Sequence, residues 1–139
     1  MDTQSGGMSA MRHGLAGYIE QVAAAVGVAR EGVTFEVSDT ATAYLGLTLR
    51  APERPERDLM LIWSERHGWA VALESEPSDT PEMAAYFGDD LVPAPAEVAR
   101  FVTDVVTGHD HGRACPRFAV EDDRNQLTSR LARYVNAQR

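Results

Sequence analysis

A chain of 139 residues, 44% hydrophobic and 24% charged, has the size and composition of one ordinary globular domain. Its net charge is −8 and all 13 basic residues are arginine, so any chemistry that needs a lysine is excluded. The same balance argues against binding to phosphate backbones or anionic lipid, and a single cysteine rules out an intrachain disulfide or a multi-cysteine metal site.

Residues 1–10 are polar and glycine-rich and read as a disordered lead-in to one α+β domain over 11–139. From Met11, Leu15, Tyr18, Ile19, Val22 and Val26 recur at helical spacing up to Gly27, which suits a left-handed cap. Arg12, Glu20 and Gln21 are expected on the outer face. The period then becomes two. Val33, Phe35 and Val37 define a first strand, and after Ser38-Asp39-Thr40 a second sets Leu45, Leu47 and Leu49 opposite Tyr44, Thr48 and Arg50.

Residues 51–57 form a polar, proline-punctuated loop. Leu59–Trp63 and Trp69–Leu73 are continuous apolar runs joined by Ser64-Glu65-Arg66-His67-Gly68, which predicts a hairpin with Trp63 and Trp69 facing across it. Their unbroken apolar character predicts a central pair covered over much of both faces.

Thr80-Pro81-Glu82 opens a short predicted helix from Pro81 to Phe87. Val98, Phe101, Val102 and Val105 mark another, closed by Gly108. A loop over 108–117 and a short extended piece at Phe118–Val120 precede a last helix, started by Asp123 and Gln126, with Leu127, Leu131, Tyr134 and Val135 inward. The expected fold is therefore an N-terminal helix, a four-stranded antiparallel meander, and two or three C-terminal helices largely on one face.

The stretches LMLIWSERHGWAVALE (59–74) and LVPAPAEVARFV (91–102) resemble an uncharacterised actinobacterial family of unassigned function, from about Leu15 to Val135. That resemblance implies a taxon and a domain extent, and no chemistry. The element order is more loosely similar to the small α+β folds of secretion chaperones and bacterial immunity proteins, which act by binding partners.

Several constellations of polar side chains compete with simpler structural roles. His109, Asp110, His111 and Cys115 carry zinc-type donors, yet adjacent ligands in a short loop strain a tetrahedral site, so a polar loop is the preferred reading. Cys115 with a neighbouring histidine is disfavoured as a nucleophile for a related reason: catalytic triads are usually assembled from separate elements. Glu74 and Glu76 share a strand face about 7 Å apart, and read as a solvated strand end rather than an acid–base pair. Asp89-Asp90 lacks the further oxygen ligands of a calcium loop. His67 tips the hairpin beside two tryptophans that suit either core or interface.

No catalytic motif occurs, and no metal or cofactor is expected. The leading expectation is a non-enzymatic, cytoplasmic, homodimeric module that binds a protein partner or itself. A second is a small-molecule-binding protein or enzyme with a pocket between sheet and helices, lined by Trp63, Trp69, Tyr44 and Tyr86 with His67 or Glu74 as polar contact. A third is an immunity or antitoxin protein, whose acidity suits a basic toxin.

Overall fold

A computed structural model describes residues 3–50, 57–74, 82–88, 90–108 and 124–136. Helix α1 (Thr3–Val26) is followed by a 3-10 turn at Arg30–Gly32. Strands β1 (Val33–Glu36), β2 (Thr42–Gly46), β3 (Leu59–Ser64), β4 (Gly68–Leu73) and β5 (Glu82–Tyr86) come next, then helices α2 (Pro95–Val106) and α3 (Arg124–Asn136). The strands form one antiparallel meander in the order β1-β2-β3-β4-β5. The α+β architecture is the one expected from the sequence.

The helical face of α1 is the predicted one, with Leu15, Tyr18, Ile19 and Val22 buried and Met11 and Ala23 added to them. Gly27 ends the helix at φ +89°, where a side chain would be strained. At Gly14 the requirement is space. A Cβ there would stand 2.8 Å from the Leu131 Cβ and 2.9 Å from its carbonyl carbon, so the small residue lets α1 and α3 approach closely. In α2, Val98, Phe101, Val102 and Val105 are buried at the predicted spacing, and the Glu97 carboxylate accepts the Ala94 N–H at 3.1 Å to cap the first turn.

The layers meet in one core. Leu45, Leu61, Trp63, Trp69, Val71 and Leu73 from the sheet join Leu15, Tyr18 and Ile19 of α1, Phe101 of α2 and Leu131 of α3. Trp63 pairs with Trp69 across β3 and β4, with ring centroids 6.5 Å apart. Both indole N–H groups are satisfied. Trp63 Nε1 donates to the Leu91 carbonyl at 2.8 Å and Trp69 Nε1 to the Tyr18 hydroxyl at 2.9 Å. Arg130 of α3 fastens the approach to α2, pairing with Asp90 at 2.8 Å and donating to the Val92 carbonyl at 3.0 Å.

Several expectations are corrected. The segment read as a helix from Pro81 to Phe87 contains a fifth strand, because pairing with β4 overrides the local helix signal and a register shift between Val71 and Ala72 absorbs one extra residue. Helix α1 starts at Thr3, within the stretch read as a disordered lead-in. Strand β2 stops at Gly46, since Thr48 adopts φ 53°, and Leu49, expected inside with Leu45 and Leu47, is 40% exposed. The turn between β3 and β4 is three residues rather than five, with Ser64 and Gly68 already paired. Gln21, expected to face outward, is half-buried, and its Nε2 is buried without an acceptor among the described residues.

Glu65, expected in an exposed turn, is instead buried. Its carboxylate accepts the Ala41 N–H at 2.6 Å while its own N–H donates to the Ala41 carbonyl at 3.0 Å. This reciprocal clip joins the end of β3 to the segment entering β2. Asp123, Phe118–Val120 and the side chain of Val135 lie outside the described residues.

Candidate functional site

Alternation along the strands decides what the second sheet face carries. In β3 and β4 the residues that meet the helices are Leu59, Leu61, Trp63, Trp69, Val71 and Leu73. Met60, Ala70 and Ala72 are also buried, yet stand outside that core because they point the other way. The unbroken apolar runs of β3 and β4 predict cover over much of both faces. Among the described residues, the helical core engages one.

The helix-free face has three cross-strand rows. Gly46, Met60, Ala72 and Met83 make the first. Thr34, Tyr44, Ile62, Ala70 and Tyr86 make the second. Glu36, Thr42, Ser64 and Gly68 make the third. Small residues on β4 between larger ones on β2, β3 and β5 hollow the surface into an open groove of about 520 Å³. Tyr44 and Tyr86 stand on either side of Ile62 and Ala70, with backbones roughly 14 Å apart at the usual interstrand spacing. His67, half-buried at the β3–β4 turn, borders the polar end, where its N–H donates to Ser64 Oγ at 3.0 Å.

The electrostatics of this face are acidic. Among the described residues, Glu36 lines the groove and no arginine does. Glu74, one residue beyond β4, accepts a hydrogen bond of 2.6 Å from the Tyr44 hydroxyl. That bond draws the tyrosine across the face toward the first row, its hydroxyl lying 3.4 Å from where a Cβ on Gly46 would stand. The neighbouring carboxylate, with some burial, pushes the Tyr44 hydroxyl up to about 12.

The residues singled out from sequence fall into two places. Tyr44, His67 and Tyr86 line the groove together, and Glu74, outside the lining, accepts the Tyr44 hydroxyl. Trp63 belongs to the core and only skirts the groove between strands, while Trp69 belongs to the core alone. The space between sheet and helices, where a ligand pocket was considered, is filled by the two tryptophans, Tyr18 and their neighbours. His109, His111, Cys115 and Glu76 lie outside the described residues. Among the described residues no group of three or more His, Cys, Asp or Glu is placed to hold a metal.

Sequence reasoning missed Thr34, Glu36, Thr42, Ile62, Ala70 and Met83 as groove residues. The signal was present in the period-two face shared by Thr34, Glu36 and Tyr44, but the continuous apolar runs of β3 and β4 concealed which of their residues continue it.

A five-stranded meander with helices engaged on one side and, among the described residues, a tyrosine-walled groove on the other defines the class: a two-layer α+β domain. The chain belongs to the family of unknown function DUF6292, which it matches over residues 18–104. The match takes in the C-terminal part of α1, the whole sheet and most of α2. No curated protein and no solved structure matches the chain. Among the described residues, no helix is long and apolar enough to cross a membrane.

Proposed function

We propose that this protein is a non-enzymatic module that binds a protein partner through the helix-free face of its sheet. One observation carries the reading. Ile62 and Ala70 form an apolar floor between Tyr44 and Tyr86, with Met83 beside them on β5, in the middle of a face that the helical core does not engage. Aromatic side chains flanking an apolar centre, with hydroxyls and a carboxylate at one end, make the composition of a recognition surface. A second copy of the chain is the other occupant such a face admits, which is the homodimeric form of the same reading. A cytoplasmic setting in an actinobacterium is part of the proposal, supported by the arginine-only cations and the lone cysteine.

Ile62→Arg is the direct test, because it places a charge in the centre of the groove and leaves the tryptophan core on the opposite face untouched. The variant keeps the near-ultraviolet circular dichroism of the wild type. It loses the association that the wild type shows, read as dimer mass by light scattering or as a co-purifying partner from native cells. An association that survives unchanged overturns the reading.

The groove volume of about 520 Å³ favours one second reading, since it falls within the range of small-molecule sites. A ligand there would rest on Ile62 and Ala70 between the two tyrosines. Tight binding of a low-molecular-weight compound by purified monomer, abolished by Ile62→Arg, would favour that reading over the first.

A further inference from the structure

We infer that the occupant of the groove is a cationic segment of a partner protein, held through an arginine or lysine side chain; this rests on the helix-free face being the binding surface. The three rows grade from apolar to polar across the sheet. Met60, Ala72 and Met83 lie at one end, and Glu36, Thr42 and Ser64 at the other. Tyr44, Ile62, Ala70 and Tyr86 occupy the ground between. A long basic side chain has the same gradient: an aliphatic stem that packs on apolar surface and a charged head that seeks acceptors.

Laid across the groove, the stem rests on Ile62 and Ala70. The head reaches the Glu36 carboxylate and the hydroxyls of Thr42 and Ser64.

Charge selects this occupant over the alternatives. Among the described residues the groove is lined by one carboxylate, one histidine and no arginine, while Glu74, which holds the Tyr44 hydroxyl, stands outside the lining beyond the apolar row. Glu36 forms no ion pair among the described residues. Arg66, in the β3–β4 turn, is exposed and outside the lining, and Arg12 of α1 is stacked 5.8 Å over the Phe35 ring. Arg50 is engaged with Asp58 at 3.0 Å. A second copy docked by the same face across a two-fold axis would bring like charges together, Glu36 and Glu74 of one copy against those of the other. An acidic segment would meet the same repulsion. The net charge of −8 reinforces the local field and steers a basic partner toward the protein.

The test uses the full chain, isotope-labelled, and three octapeptides of alternating leucine with arginine, with citrulline or with glutamate. Citrulline has the shape of arginine without its charge. The arginine peptide is expected to shift the amide signals of Thr34, Glu36, Tyr44, Ile62 and Tyr86, with affinity at least tenfold above that for the citrulline peptide. Glu36→Gln is expected to weaken it severalfold, whereas Glu20→Gln, an equal charge change on the exposed side of α1, leaves it within twofold.

Equal binding of the arginine and citrulline peptides, with shifts still in the groove, overturns the cationic inference and leaves the binding face standing. Shifts confined to α2 or α3 overturn both. No binding of any peptide, or equal losses for Glu36→Gln and Glu20→Gln, overturns the inference as well.

Discussion

The Tyr18 hydroxyl accepts a 2.9 Å hydrogen bond from Trp69 Nε1 and donates one of 2.6 Å to the Pro93 carbonyl, so one buried oxygen ties α1, β4 and the entry to α2 together. Burial pushes this hydroxyl far above the ordinary tyrosine range, with the Trp69 bond opposing the effect. Tyr18→Phe keeps the ring against Trp69 and Tyr134 but leaves an indole N–H and a carbonyl buried without partners. A loss of about 1–3 kcal/mol is expected in denaturant unfolding, accompanied by a changed tryptophan emission spectrum.

Gly14 and Leu131 set the distance between α1 and α3. Gly14→Ala places a methyl group where only 2.8–3.0 Å is available to three Leu131 atoms, two of which are backbone, so α3 must shift. An expected cost of about 1–3 kcal/mol follows from overpacking, even though alanine is the better helix former. Gly27→Ala gives a contrasting case, since nothing crowds that position. There the expected cost is about 1–2 kcal/mol and comes from left-handed backbone alone. Chemical denaturation of both variants, with α3 amide exchange followed by mass spectrometry, separates the two causes: only the Gly14 variant loosens α3.

The buried Glu65 clip predicts an ordering of substitutions. Glu65→Ala strands the Ala41 N–H and is expected to cost about 1–3 kcal/mol. Glu65→Gln retains an acceptor oxygen and is expected to cost less. Thermal unfolding of the pair checks the order, and equal stability of Glu65→Ala and wild type would contradict the clip.

Tyr44 gives the pH prediction. Its folded-state value of about 12 lies above the ordinary tyrosine value of 10.0. A raised value means that the protonated tyrosine is favoured by folding, so its contribution is complete below pH 10 and is lost as pH rises toward 12. Ultraviolet titration of phenolate should show, besides the buried Tyr18, a further tyrosine ionising late in wild type and earlier in Glu74→Gln. An unchanged titration curve would show that Glu74 is not the cause.

Much of the fold was legible because its signals are local. The burial of Leu15, Tyr18, Ile19 and Val22, of Val98, Phe101, Val102 and Val105, and the facing of Trp63 and Trp69 follow from period and turn chemistry. What failed depends on distant partners. Strand β5 reads as helix until β4 supplies its hydrogen bonds, and Glu65 reads as a solvated turn until Ala41 is brought to it.

The groove was half legible. Tyr44, His67 and Tyr86 were singled out, but Trp69 was grouped with them because a tryptophan in a continuous apolar run gives no sign of which face it takes. Glu36 and Ile62 matter only once five strands are placed in order.

Site-specific photo-crosslinking tests the binding face most directly. A benzoylphenylalanine replaces Met83 on the groove wall in one strain and Thr103 on the exposed side of α2 in another, both expressed in native cells. The face proposed here predicts a discrete protein adduct from position 83 that is absent from position 103 and disappears when Ile62→Arg is added. Adducts from position 103 alone, or equal yields from both, would contradict it.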